Sequence, residues 1–374
     1  MERLTTIDAA WRNLVARALE PNVFMNPALL HAAMASEPDR QYAVLLAWDG
    51  AHAGARLIGV WGFCIIRALV PVRVLRAPAP PHAYLATPVV DRLCGDAVLN
   101  AMLDAISASD DLPNIIALTA VAFDGPVMET LKRIAVERGT SLRVFETRQR
   151  PLLRSGGSGK SYFEAALSSS SRKKLRQHRR RLAEQGDLQP RFFETPDEVT
   201  SAFDEFLLLE SSGWKGRAGD ALACSESDAA FSRTMIEALA EQRDAQIHAL
   251  YLDGKPVSMQ IVLRSGPVAY TWKTAYDEML HDFSPGMLLL EDYTSAFLSD
   301  PGIACVDSCS FDDSGFMAVW QDREALADLW LDVRRGSSFD FALNAKCQAA
   351  ALLLRGHLKS LYNRRLKRWT TRKS

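Results

Sequence analysis

The chain has 374 residues, a formal net charge of -1 and a pI of about 6.7, so its overall balance favours no polyanionic partner. Hydrophobic residues at 48% and charged residues at 24% describe a globular chain and argue against long disorder. Single cores rarely grow beyond about 250–300 residues, so two units are expected.

Taken in chain order, residues 5–36 read as two short helices, with Trp11, Leu14, Val15 and Leu19 at helical spacing. Asn26-Pro27 starts the second: Asn caps and Pro suits the first turn. Residues 42–47 and the apolar stretch from 57 read as strands around an Asp49-Gly50 turn. Arg67 interrupts that stretch, so 57–70 reads as a buried strand pair rather than a span. Residues 76–88, rich in Pro and Ala, read as irregular loop. A helix at 95–108, a strand at 115–118, a helix at 127–137 and a strand at 142–146 complete a mixed α/β unit.

The low-complexity stretch Arg154–Lys160 marks the boundary, giving a first unit over 1–153, a linker over 154–160 and a second unit over 161–374. Gly159-Lys160-Ser161 supplies the end of a phosphate loop, but Arg154 stands where its first glycine is needed, so a linker is the better reading. The second unit opens with a helix over 162–183 and a strand over 189–193. A helix from Thr195-Pro196 to about 211 follows, with Glu198 completing a capping box. Next come a helix at 228–242, strands at 246–252, 256–263 and 268–276, a helix at 286–298, strands near 303–306 and 329–333, and a last helix at 342–361. Asp253-Gly254 is a hairpin turn between two of these strands. Both halves run helices, an antiparallel meander, a helix and returning strands, which suggests a duplication.

No apolar run follows a basic start at the N-terminus and none reaches about 18 residues, so a cytoplasmic protein without a transmembrane segment is expected. The six cysteines form no CxxC pair and read as buried free thiols. The seven histidines are scattered, with no HExxH, and the chain has no GxSxG and no GxGxxG after a strand. A metal enzyme or a hydrolase is therefore not expected.

The chemistry concentrates at 268–298. The strand runs through Lys273 into Tyr276, Asp277 and Glu278, and Ser284-Pro285-Gly286 then opens an apolar helix through Met287 and Leu288. Ser284 reads as the N-cap, and a helix start of this kind offers free N–H groups and a positive dipole end to phosphate. Lys273 points into a cleft if Tyr270 and Trp272 face the other way. Glu210, Trp214 and Lys215 form a second wall, in a sequence whose Gly213 and Gly216 argue against a helix interior. Asp312 and Asp313 follow a short strand and suit a cationic group. Seven of the ten residues 172–181 are Lys or Arg; Arg172 and Arg176 among them suit an anionic partner, although a solvated helix face explains the run as well. The basic tail 364–373 reads as a solvated end.

Four blocks in order resemble the GNAT acyltransferase superfamily, closest to its CelD-like branch. They are the basic helix Ser171–Leu182, the block Glu210-Ser211-Ser212-Gly213-Trp214-Lys215-Gly216, the hairpin at 250–257, and the strand with Ser284-Pro285-Gly286. Together they cover roughly 160–325. The resemblance implies a tandem GNAT-like α/β (α+β) fold, with mixed, mostly antiparallel sheets flanked by helices, related to the FemAB peptidyltransferases. It implies acyl transfer from acetyl-CoA or another acyl-CoA to an amine of a small molecule or a sugar, with a link to polysaccharide or cell-envelope synthesis. Ser284, Pro285, Gly286, Met287 and Leu288 then stand at the donor, and Tyr276, Asp277, Glu278 and Glu210 are catalytic candidates. Arg172, Arg176, Trp214, Lys215, Lys273 and Asp312 are substrate-binding candidates. Where GNAT enzymes carry a Q/R-x-x-G-x-G/A loop, this chain has only Ser284-Pro285-Gly286. Two alternatives follow: a FemAB-like aminoacyl transferase using charged tRNA, and a GNAT-like binding protein without a donor.

Overall fold

The computed structural model describes residues 6–50, 54–68, 72–154, 156–311, 313–336 and 338–370, with side chains to 355. The first half contains α1 (Asp8–Ala16), α2 (Pro27–Ser36), β1 (Tyr42–Asp49), β2 (Arg56–Arg67), β3 (Arg73–Ala77), β4 (Val89–Val90), α3 (Gly95–Ser107), β5 (Ile115–Ala122), α4 (Pro126–Arg138) and β6 (Leu142–Arg154). The second contains α5 (Gly159–Ala166), α6 (Ser169–Ala183), β7 (Leu188–Phe193), α7 (Pro196–Ser212), α8 (Trp214–Ala218), α9 (Glu226–Glu241), β8 (Ala245–Leu252), β9 (Lys255–Ser265), β10 (Val268–Tyr276), α10 (Pro285–Ser299), β11 (Cys305–Asp307), β12 (Asp322–Asp332) and α11 (Phe339–Thr370).

All strands belong to one sheet, ordered β1-β2-β3-β5-β12-β6-β11-β10-β9-β8-β7, with β4 paired to β2. The two halves repeat one pairing pattern. β1, β2 and β3 are antiparallel neighbours and β3 pairs β5 in parallel; β8, β9 and β10 are antiparallel and β10 pairs β11 in parallel. In each half a helix, α3 or α10, fills the parallel crossover. This agrees with the duplication that the order of elements in the sequence suggests.

The halves also exchange strands. β12, late in the chain, lies between β5 and β6 of the first half, while the end of β6 pairs with β11 of the second. Phe341 and Ala345 of α11 pack on Val74, Ile115 and Trp330. A division into 1–153 and 161–374 therefore has to allow for this returning segment. Long-range pairing also explains why β6 runs eight residues past its expected 146, since its second half is held by β12 and β11.

One core lies mainly in the first half. On one face of the second, α7 and α9 pack with Ile247, Met259, Ile261 and Tyr270, and Phe24, Leu29 and Leu85 of the first half join the same cluster. On the other face α6 and α10 bury Leu175, Leu182, Leu288 and Tyr293. The two units thus share apolar surface.

Several local expectations change. The helix expected over 162–183 is two, because Leu167 is extended and the Ser168 side chain accepts from Ser171 N–H to start α6. Gly159, expected in the linker, opens α5; a Cβ there would meet Ser295 Cβ at 2.6 Å, so α5 lies tight on α10. The stretch from 57, expected to be a strand pair, is the single strand β2. The cysteines are unpaired, but only Cys64 and Cys309 are buried and Cys224 is exposed. Among the described residues no helix is long and apolar enough to cross a membrane. The tail 364–373 lies outside the described side chains.

Candidate functional site

β10 and β11 pair in parallel only from Val268 to Tyr270 and from Cys305 to Asp307, and beyond that the chains part. A buried ion pair pins the fork. Arg150 Nη1 of β6 lies 3.1 Å from Asp307 Oδ2, and the same guanidinium donates to the carbonyls of Ser310 at 2.8 Å and Tyr84 at 3.2 Å. Asp307 Oδ1 accepts from Cys309 N–H at 2.6 Å, and Asp307 O accepts from Thr271 Oγ1 at 3.2 Å. A buried pair survives only with its remaining donors and acceptors met, as here.

Near the free end of β10 a cleft of about 230 Å³ is lined by Glu210, Gly213, Trp214, Lys215, Thr274, Tyr276, Glu278 and Phe316, among others. Five of the sequence candidates thus come together. Glu210, 3% exposed, lies in the last turn of α7. Its Oε1 accepts from Lys215 Nζ at 2.9 Å and its Oε2 from Leu222 N–H at 2.9 Å. Lys215 Nζ also donates to Thr274 O at 2.8 Å, tying α8 to the strand. Contrary to expectation, residues 214–218 are helical, a short turn whose packing needs glycine. A Cβ on Gly216 would stand 1.8 Å from Ser211 O. Trp214 is half exposed on the cleft.

Glu278 closes the far wall. Its Oε1 accepts from Trp214 N–H at 2.7 Å and its Oε2 pairs with Arg217. The Arg217 guanidinium, helped by that N–H, holds the carboxyl below the usual range. The two contacts tie α8 to the turn that follows β10. Asp277 is an N-cap, its Oδ1 accepting from Met279 N–H at 2.9 Å. Tyr276, partly exposed, lines the cleft.

The register corrects Lys273. A bulge between Thr271 and Lys273 shifts the pairing, so Lys273 stands opposite Ile261, a residue of the same core face as Tyr270 and Trp272. Lys273 Nζ lies 5.7 Å from the Trp272 ring centre and 3.2 Å from His82 Nδ1. It therefore lies beside these aromatics, not opposite them.

Ser284 sits in the left-handed region (φ 51°) and makes no side-chain cap, which also differs from expectation. Its carbonyl takes the N–H groups of Met287 at 2.9 Å and Leu288 at 3.2 Å. Pro285 has no N–H, so Gly286 N–H is the amide of this start without a backbone partner among the described residues. Open space surrounds a would-be Gly286 Cβ. Leu288 drops out as a donor contact, because its side chain is fully buried and its N–H is occupied. The six-residue turn 278–283 joins the cleft to this helix start, and the Arg181 guanidinium lies 5.3 Å from the Phe283 ring.

Arg172 and Arg176 are not at the cleft. They line a separate groove of about 570 Å³ with Lys160, Arg179, Glu291 and Asp292. Asp312 lies outside the described residues; Asp313 pairs with Arg323 at 3.7 Å. Among the described residues no group of three or more His, Cys, Asp or Glu is placed to hold a metal ion. Sequence reasoning missed His82, Asp228 and Arg150. His82 lies in a loop with no local motif, 191 residues from Lys273, and only tertiary packing brings them together.

Residues 169–310 match the family described as an acetyltransferase (GNAT) domain. That stretch contains the second parallel fork, and the first half repeats its pairing. The chain has a tandem GNAT fold. Among solved structures the chain is similar to FemX, at 12% identity over 87% of this chain and 95% of that one, with a TM-score of 0.55. It is also similar to the C-terminal DUF2156 domain assigned to a lysylphosphatidylglycerol synthetase from Agrobacterium fabrum, at 13% identity over 93% and 97%, TM-score 0.55. A conserved protein of unknown function from Bacteroides thetaiotaomicron aligns at 14% identity over 86% and 95%, TM-score 0.50. At such identities the likeness concerns the fold. No curated protein sequence matches this chain.

Proposed function

We propose that this tandem GNAT is an N-acyltransferase that moves an acyl group, acetyl in the first instance, from a coenzyme A thioester to an amine of a small molecule or a sugar. The observation that carries the reading is the joined site: a cleft at the end of a parted parallel strand pair, linked by one short turn to a helix start with an open amide at Gly286. Phosphate suits the dipole end and the free N–H, with Met287 beside it. The acyl thioester then reaches along β10 to the cleft.

In the cleft, Trp214 covers the acceptor, and Glu210 with Lys215 forms a charged wall whose partners are fixed. Tyr276, which lines the cleft, contacts the leaving sulfur in this reading. Such a donor belongs to the cytoplasm, and cell-envelope or polysaccharide amines are the acceptor class the family resemblance suggests.

The test is thiol release from acetyl-CoA over a panel of primary amines, including amino sugars, with the Trp214→Ala variant alongside. Amine-dependent release that falls in the variant supports the reading; release independent of every amine contradicts it.

A second reading draws on one observation, the separate groove with Lys160, Arg172 and Arg176. In it, the donor is an aminoacyl-tRNA whose backbone follows that groove. RNA contact of this kind is salt-dependent.

A further inference from the structure

The loop after β3 reaches from the first half to Trp272 and Lys273 of β10. His82 is fixed there at both ends. Its carbonyl accepts from Trp272 Nε1 at 2.8 Å and its backbone takes the left-handed region (φ 51°), which non-glycine residues seldom adopt. Its Nδ1 lies 3.2 Å from Lys273 Nζ, and its Nε2 lies 3.2 Å from Asp228 Oδ1, at the start of α9. The Asp228 contact is an ion-pair approach, off the line of a hydrogen bond, because Nε2 finds no aligned partner. It still favours the tautomer with the proton on Nε2, which leaves Nδ1 as an acceptor for Lys273.

The bulge in β10 is what brings Lys273 to this ring. The next residue, Thr274, lines the cleft and is gripped through its carbonyl by Lys215. Burial lowers the pKa of Lys273; Lys215 pushes the same way, while Glu210 and Asp228 push back, and the Cys309 thiol also faces it. Burial likewise lowers His82, helped by Lys273 and opposed by Asp228 and Glu210. A neutral imidazole beside an amine that gives up its proton more readily than a surface lysine is the arrangement proton transfer needs.

We propose that Lys273 is the proton shuttle of the acyl transfer, positioned by a pair that joins His82 of the first half to Asp228 of the second. The inference rests on the acyl-CoA reading above. The acceptor nitrogen forms the C–N bond at the thioester carbonyl carbon and the C–S bond breaks. Lys273, as the free amine, takes the proton from that nitrogen and delivers it to the departing sulfur, so the enzyme ends as it began. His82 Nδ1 holds one N–H of the amine, and the lone pair stays free for the incoming proton. His82 and Asp228 are positioning residues.

The test has two arms on the full chain. In the first, trace acetic anhydride labels lysines across pH 6–11 and peptide mass spectrometry reads the midpoint at Lys273; neither coenzyme A nor an acceptor is needed. The midpoint is expected below the ordinary value of about 10.4, and lower again in Asp228→Asn, which removes a charge that stabilises the ammonium. Titration of Lys273 together with surface lysines overturns the shuttle. In the second arm, Lys273→Arg keeps the charge but gives up no proton near neutrality. Turnover is expected to fall about 100-fold or more, with donor affinity within twofold. The His82→Gln variant is expected to lose less, and Asp228→Asn to move the alkaline rise of the rate to lower pH. Lys273→Arg with more than a tenth of wild-type turnover overturns the proposal. A shifted Lys273 in a chain that binds no acyl-CoA keeps the positioned amine and removes the donor reading, so the two failures are distinct.

Discussion

Glu20 and Glu324 face one cavity of about 220 Å³ between the halves. Burial pushes both carboxyls up to about 7, and for Glu20 the Glu324 charge adds to the effect. The folded value lies above the ordinary 4.5, so the native state holds more protons than the unfolded chain between about 4.5 and 7. The stability these groups contribute is present below that window and is lost as pH rises through about 7. The rise from 4.5 to about 7 corresponds to roughly 3 kcal/mol per group at alkaline pH. Glu20→Gln removes the charge and leaves an oxygen to accept from Val127 N–H, which Glu20 Oε1 now takes at 3.0 Å. Relative to wild type, the variant is expected to gain up to about 3 kcal/mol at pH 8.5 and to change little at pH 5. Urea melts at the two values measure this directly. An effect of Glu20→Gln that is equal at both pH values would refute the reasoning.

Asp307→Ala strands the buried Arg150 guanidinium and is expected to cost about 3–5 kcal/mol; a change below 1 kcal/mol in the same melts would mean that the fork is held otherwise. If charged tRNA is the donor, RNA binding in gel-shift assays should weaken steeply with salt and disappear in the double variant Arg172→Glu, Arg176→Glu. Retained RNA binding in that variant removes the groove from the reading.

The sequence shows local structure well and long-range structure poorly, for physical reasons. Capped helices such as α2, with Asn26 and Pro27, and the Asp253-Gly254 hairpin carry their signals within a few residues. The cleft was half legible: Glu210, Trp214, Lys215, Tyr276 and Glu278 were singled out from two blocks, and β10 with α7 brings them together. The strand exchange was not legible, because β12 and β6 pair across 180 residues and no local pattern records the partner. The Lys273 side was misread because one bulge reverses the alternation on which a facing argument depends. His82 had no motif at all; its place comes from a Pro-rich loop that local rules describe only as irregular.

The central claim is that a coenzyme A thioester binds at the start of α10. Calorimetric titration of acetyl-CoA and free coenzyme A into wild type and Gly286→Glu tests it most directly. A side chain at 286 has open space, so the variant should fold while setting a carboxylate against the phosphates. Saturable binding by wild type that the variant loses is the predicted result. Equal binding by both proteins, or none by wild type at millimolar ligand, would contradict the account.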